Sequence, residues 1–255
     1  MIIDSHAHLS FGQLSEDLQG ILKRAKKSQV ERIINVGCDL KSCEGALEQL
    51  SEDECLYATL GMHPYDARAV SDDLMDKWRG LITSEPRIVA IGECGLDYFK
   101  ASVPRDEQKR AFRLQLELAK ELNLSVIVHN RDADEDSLEA LNDFRDLKVV
   151  FHCYGSNLNF ARRLWERGIL TSFTGIITYP NAEELREVAK EVPDDLYMVE
   201  TDCPYLAPQM YRGQRNEPAY VVSVVEEVAK IKGLSFGEVA EKSTENAMKF
   251  FGLPE

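Results

Sequence analysis

Ser125-Val-Ile-Val-His129 sets three β-branched residues in a row and ends them with a histidine, and Lys148-Val-Val-Phe-His152 repeats the device one segment later. Runs this short, rich in branched side chains, read as buried strands rather than helices. Six more recur along the chain, at Ile2–Asp4, Arg32–Val36, Leu56–Leu60, Arg87–Ile91, Ile169–Phe173 and Tyr197–Val199. Charged segments with helical spacing lie between them: Leu18, Ile21, Leu22 and Ala25 share one face, as do Leu158, Ala161 and Leu164. Eight strands alternating with helices in 255 residues predict an α/β protein, a single-domain (β/α)8 TIM barrel spanning 1–255. A doubly wound open sheet would favour a glycine-rich phosphate turn after an early strand, and the sequence has none. The 15 glycines and 9 prolines are dispersed among turns, so no linker or domain boundary is indicated.

Hydrophobic residues at 44% and charged residues at 29% describe an ordinary globular chain. Thirty basic against 44 acidic side chains leave a net charge of −14. That excludes a broad basic surface for gripping duplex nucleic acid, so any polyanion must be held locally. Six cysteines (Cys38, Cys43, Cys55, Cys94, Cys153, Cys203) are scattered without a CxxC pair, which predicts a reducing compartment. The start lacks the basic and apolar stretches of a signal peptide, and no apolar run is long enough to cross a bilayer. A cytoplasmic protein that does not enter the membrane is expected, and no obligate protein partner is evident.

All five histidines, His6, His8, His63, His129 and His152, fall at or just beyond the carboxyl end of an expected strand. In a barrel those ends converge on the face where active sites are built. Asp4, His6 and His8 occupy alternate positions, which in an extended strand point to one side. An HxH pair alone is weak evidence for a metal. Here Glu93 closes the fourth strand and Asp202 the eighth, so strands one, four, five, six and eight all deliver nitrogen or oxygen ligands. His6, His8, Glu93, His129, His152 and Asp202 exceed the three residues that commonly hold one catalytic zinc. Two divalent ions sharing Glu93 are therefore expected, with a single ion among spare polar groups as the alternative. Two carboxylates against two such ions leave the site net positive and suited to an anionic substrate. A water acidified by the metal would be the nucleophile, with Asp202 taking its proton; that chemistry is hydrolysis.

Asp4-Ser-His-Ala-His8, Gly61-Met-His-Pro64, Gly92-Glu-Cys-Gly-Leu-Asp-Tyr98, Val128-His-Asn-Arg131, Phe151-His-Cys153 and Glu200-Thr-Asp-Cys-Pro-Tyr-Leu206 follow one another in order. Together with Arg212-Gly-Gln-Arg-Asn-Glu-Pro218 and Thr244-Glu-Asn-Ala247 they resemble the TatD family over essentially the whole chain. The resemblance implies a TIM-barrel metal-dependent hydrolase of the amidohydrolase superfamily, some of whose studied members are magnesium-dependent deoxyribonucleases acting from DNA 3′ ends. It implies that His6, His8, Glu93 and Asp202 hold one ion and that Glu93, His129 and His152 hold the other. Glu93 stands where many superfamily relatives carry a carboxylated lysine. The resemblance also places His63 against substrate phosphate, the competing reading being a turn residue ahead of Pro64.

Arg131 either reaches the phosphate as a two-pronged donor or pairs with Asp132 or Asp134 on the surface. Tyr98, Tyr154 and Tyr205 adjoin ligand motifs and either stack a base or simply pack. Cys94, Cys153 and Cys203 each follow a ligand by one residue, and strand alternation turns them away from the metals. Asp4 and Glu200 share the inward side and are expected to orient imidazoles or pair with buried donors. The expected activity is a 3′-exonuclease on single-stranded DNA using two ions of magnesium, manganese or zinc. Hydrolysis of a small phosphodiester, or of an ester or amide such as aminoacyl-tRNA, is the second reading. A non-enzymatic accessory protein is the third, and six metal-type residues at five strand ends speak against it.

Overall fold

The computed structural model describes residues 1–254. Its strands are β1 (Ile2–Ala7), β2 (Val30–Val36), β3 (Leu56–Leu60), β4 (Ile88–Asp97), β5 (Ser125–Arg131), β6 (Val149–Phe151), β7 (Leu170–Phe173) and β8 (Tyr197–Val199). Every neighbour in the chain is a parallel neighbour in space, in the order one to eight. A bridge between Ala7 and Cys203 joins the last strand region to the first. The result is a (β/α)8 barrel. Around it run α1 (Gly12–Glu16), α2 (Leu18–Lys27), α3 (Leu40–Gln49), α4 (Asp72–Ser84), α5 (Arg105–Leu122), α6 (Asp134–Ala140), α7 (Leu158–Trp165), α8 (Glu183–Glu191), α9 (Val221–Lys232) and α10 (Phe236–Phe251). None of the described helices is long and apolar enough to cross a membrane.

The sequence pattern does not single out α3 or α4, whose apolar stripes are thin. Their starts are set by side chains instead: Asp39 and Ser42 form a reciprocal cap on α3, and Ser71 accepts from the Leu74 amide to open α4.

Strand alternation divides the core in two. Ile33, Leu56, Val126, Val128 and Phe151 pack outward under the helices, while Ile34, Tyr57, Ile127, Val150 and Met198 fill the barrel. Two residues beyond three of these interior positions come His129, His152 and Glu200, so the period that buries an aliphatic side chain delivers a polar one to the barrel mouth. The opposite end is sealed by α10. Its Phe250 and Phe251, with Leu253, join the interior cluster, and Ser125 at the start of β5 donates its hydroxyl to the Phe250 carbonyl. A Ser235–Glu238 capping box starts that helix and Gly252, at φ 67°, stops it.

Three strands run past their expected ends, β1 to Ala7, β4 to Asp97 and β5 to Arg131. β4 continues to Asp97, which places Glu93 inside the strand rather than at its close. Gly92 and Gly95 make this possible: at φ 139° and 144° they hold backbone conformations that side chains disfavour. A Cβ on Gly95 would meet the His129 carbonyl oxygen at 2.0 Å. The pairing of β4 with β5 shifts register between Ile91 and Cys94, immediately around Glu93. β1 likewise shifts register against β2 between Asp4 and Ala7, so the simple alternation expected for Asp4, His6 and His8 is interrupted there.

Candidate metal centre

Glu93 is the hub of the barrel mouth. Its Oε2 lies 3.5 Å from His6 Nε2 and 3.6 Å from His8 Nε2. Its Oε1 lies 2.8 Å from both His129 Nδ1 and His152 Nε2 and 3.6 Å from His63 Nε2. One carboxylate thus turns an oxygen toward each of two histidine groups. Asp202 completes the first, its Oδ1 standing 3.3 Å from His8 Nε2 and 3.7 Å from His6 Nε2, while the two Nε2 atoms are 3.2 Å apart.

These spacings test whether a metal fits. A tetrahedral ion with ligands at about 2.0–2.2 Å separates its ligand atoms by roughly 3.3–3.6 Å. Five of the six separations among His6, His8, Glu93 and Asp202, from 3.2 to 3.7 Å, lie near that frame. The donor chemistry agrees. His8 Nδ1 lies 3.0 Å from the Val36 carbonyl, which can only accept, so Nδ1 carries the proton and Nε2 presents a lone pair to the cluster.

The second group is backed by acids. His129 Nε2 faces Asp97 Oδ2 at 3.3 Å, leaving Nδ1 toward Glu93. Asp97 is fixed in turn: its Oδ1 accepts from the Phe99 and Lys100 amides and its Oδ2 from the Tyr65 hydroxyl. His152 Nδ1 lies 3.4 Å from Glu200 Oε1, whose carboxylate also accepts from the Cys153 amide and the Ser5 hydroxyl. The His6 and His152 rings stack with centroids 4.0 Å apart.

Electrostatics keeps these acids ionised. Burial pushes against charge on Glu93, but His152, His129 and His6 around it hold its carboxyl well below the usual range. Burial opposes charge on Asp202 and Asp97 too, and His8 and His129 respectively hold them low. The imidazoles divide. Burial works against protonating His152, yet Glu93 and Glu200 raise it well above its ordinary value, and Asp97 with Glu93 raises His129 in the same way. His63, with burial dominating, falls to about 3. Metal-free, the site is a lattice of acids and shared protons that a cation can replace.

Every expected ligand is within this cluster, and so is His63, which also caps a short 3₁₀ turn by accepting from the Tyr65 amide. His63 is therefore at once a turn residue and a neighbour of Glu93. Arg131 sits at the exposed end of β5 with its guanidinium 4.1 Å from the centre of the Phe99 ring, and among the described contacts it makes no ion pair with Asp132 or Asp134. Glu200 backs an imidazole as expected. Asp4 takes the other expected role and pairs with buried donors, accepting from the Thr201 amide and hydroxyl, and burial lifts its pKa to about 8. Cys94 and Cys203 are fully buried behind the ligands; Cys153 sits against Thr174. Of the three flanking tyrosines, Tyr154 is buried and bonded to the Asn157 carbonyl, Tyr98 is bonded to Asp136, and Tyr205 stands free at the rim.

Sequence reading missed Asp97 as a functional group. Its signal was present: an acid four residues past Glu93, on the same strand, in a segment whose glycines already mark an irregular backbone.

Comparison with known proteins decides the family. The model for TatD related DNase matches residues 3–252. The chain belongs to the TatD family. It is 42% identical over 255 residues to a Bacillus subtilis protein named uncharacterized metal-dependent hydrolase YabD, covering 99% of this chain and all of that one. It is 35% identical over 257 residues to YcfH of Escherichia coli K12, named likewise, covering 99% and 96% of the two chains. Among solved structures, the TatD homologue YJJV of E. coli K12 superposes with a TM-score of 0.93 at 28% identity, covering 99% and 98%. This TatD chain is a metal-dependent hydrolase of the amidohydrolase fold.

Proposed function

We propose that this TatD protein is a two-metal deoxyribonuclease that removes nucleotides from the 3′ end of single-stranded DNA. The observation that carries the reading is the division of Glu93, with one oxygen toward His6, His8 and Asp202 and the other toward His129 and His152. His6, His8, Glu93 and Asp202 would hold one ion, and Glu93, His129 and His152 the other. Ions bound there supply acidity to a water and positive charge against the phosphoryl oxygens.

The chain's own groups do the rest. Asp202, kept ionised by His8 and His6, is placed to accept a proton from the attacking water. His63, whose Nε2 lies 3.6 Å from Glu93 Oε1, and Arg131, two residues past His129 on β5, would orient the phosphate, the arginine as a paired donor. Asp97 and Glu200, facing His129 Nε2 and His152 Nδ1, would keep the other ring nitrogens turned toward Glu93.

A net charge of −14 supports a substrate gripped at one or two phosphates rather than along a duplex. The same charge is what favours the second reading, a small phosphodiester or an ester. Purified protein given magnesium or manganese and 3′-labelled single-stranded DNA should release mononucleotides, and chelation should stop it. Absence of metal-dependent release, with turnover of small esters instead, overturns the nuclease reading.

A further inference from the structure

Six large apolar side chains are exposed among the described residues: Met1, Leu40, Tyr65, Phe99, Tyr205 and Met210. Leu40, Tyr65, Phe99 and Tyr205 lie where a strand hands over to a helix, on the face that carries the metal cluster. The aromatic members stand nearest to it. Tyr205, 54% exposed, directs its ring edge-on to His8 and Phe11, with centroids 6.4 and 6.5 Å away. Phe11 stacks flat on His8 at 4.9 Å. On the other side of Glu93, Phe99 is 65% exposed under the Arg131 guanidinium, and its amide is tied to Asp97, which touches His129.

Large exposed rings cost solvation, and a chain spends them where something planar covers them. Both are held rigidly. The Tyr205 amide donates to the Asp202 carbonyl at 3.0 Å, and its own carbonyl accepts from Asn216 Nδ2 at 2.6 Å. Asn216 is fully buried and also binds the Thr201 carbonyl, so one side chain fixes both the Asp202 turn and the ring beyond it. A protein this acidic offers few phosphate contacts outside the metal mouth. Stacking of bases on aromatic rings is the affinity for single strands that survives a negative surface.

We propose that Tyr205 and Phe99 are base-stacking stations on the two sides of the metal mouth, holding the nucleobases that flank the scissile phosphate. The inference rests on the nuclease reading and sharpens it: the substrate must carry a base on each side of the bond cut. Arg131 over Phe99 closes that station with a cation–π face.

The test uses metal-loaded protein and three 3′-labelled oligodeoxynucleotides: intact, abasic at the terminal position, and abasic at the penultimate one. On the intact strand Tyr205→Leu and Phe99→Leu should each raise KM about tenfold, with kcat moving less. Tyr205→Phe should restore the wild-type value, since the ring and not the hydroxyl is used. Each Leu variant should lose its penalty on one abasic strand, and the two variants on different strands. Unchanged KM on the intact strand, a penalty that persists without the base, or both penalties falling on one base would overturn the stations. Failure of the wild-type protein to cut the intact strand would overturn the nuclease reading instead.

Discussion

The two ends of the barrel are built from the same strands and behave as opposites. At the closed end Phe250, Phe251 and Leu253 of the terminal helix region fill the space between strand starts with buried apolar side chains. At the open end Glu93, Glu200, Asp202 and the imidazoles of His6, His8 and His152 crowd together, buried. The first end gains stability from apolar area; the second retains ionised acids that burial disfavours, balanced by the imidazoles around them or by a cation. Stability and chemistry are thus separated along one axis, by about the length of a strand.

Substitutions can break that separation or sharpen it. The largest effect is expected from Glu93→Gln. Removing the shared charge should lower turnover about 10³-fold and reduce bound metal, while the circular dichroism spectrum stays that of the wild type. Phe250→Ala should do the reverse. Loss of a buried ring at the closed end should cost about 3–5 kcal/mol in urea denaturation, with activity per folded molecule unchanged. If Phe250→Ala abolished activity in protein still folded, the two ends would not be independent.

Asp97→Asn should act between these extremes. It removes the acid behind His129 without touching a ligand atom, so metal affinity at that side should fall about 10–100-fold while the other ligand group keeps its ion. Calorimetric titration with manganese resolves the two. The smallest effect is one of pH. His152 and His129 have their pKa values raised in the folded, metal-free protein, so each is stabilised in its protonated form. An ion needs them neutral. Metal affinity should therefore fall as pH drops below those raised values, by about tenfold per pH unit for each proton displaced, and level off above them. Proton release measured in buffers of different ionisation enthalpy checks the sign.

The closed end was nearly illegible in the sequence, because Phe250 and Phe251 look like any amphipathic helix end until the chain is wound into a ring. The open end was more legible. His129 and His152 each terminate a β-branched run, and alternation alone carries them inward. Asp202 and Glu93 stood out as charges ending apolar segments. What alternation could not give was the local departure from it: the register shift around Glu93 in a β4 that runs on to Asp97, and the shift in β1 between Asp4 and Ala7. Both depend on how a neighbouring strand pairs, which no window of a single strand contains. The family resemblance supplied the ligand set, but it did not assign Asp97 a role behind His129.

The decisive measurement is anomalous diffraction from crystals soaked in manganese. Two peaks per chain are expected, one among His6, His8, Asp202 and Glu93 Oε2, the other among His129, His152 and Glu93 Oε1. A single peak, or peaks that leave Glu93 out, would contradict the shared-carboxylate centre on which the nuclease reading stands.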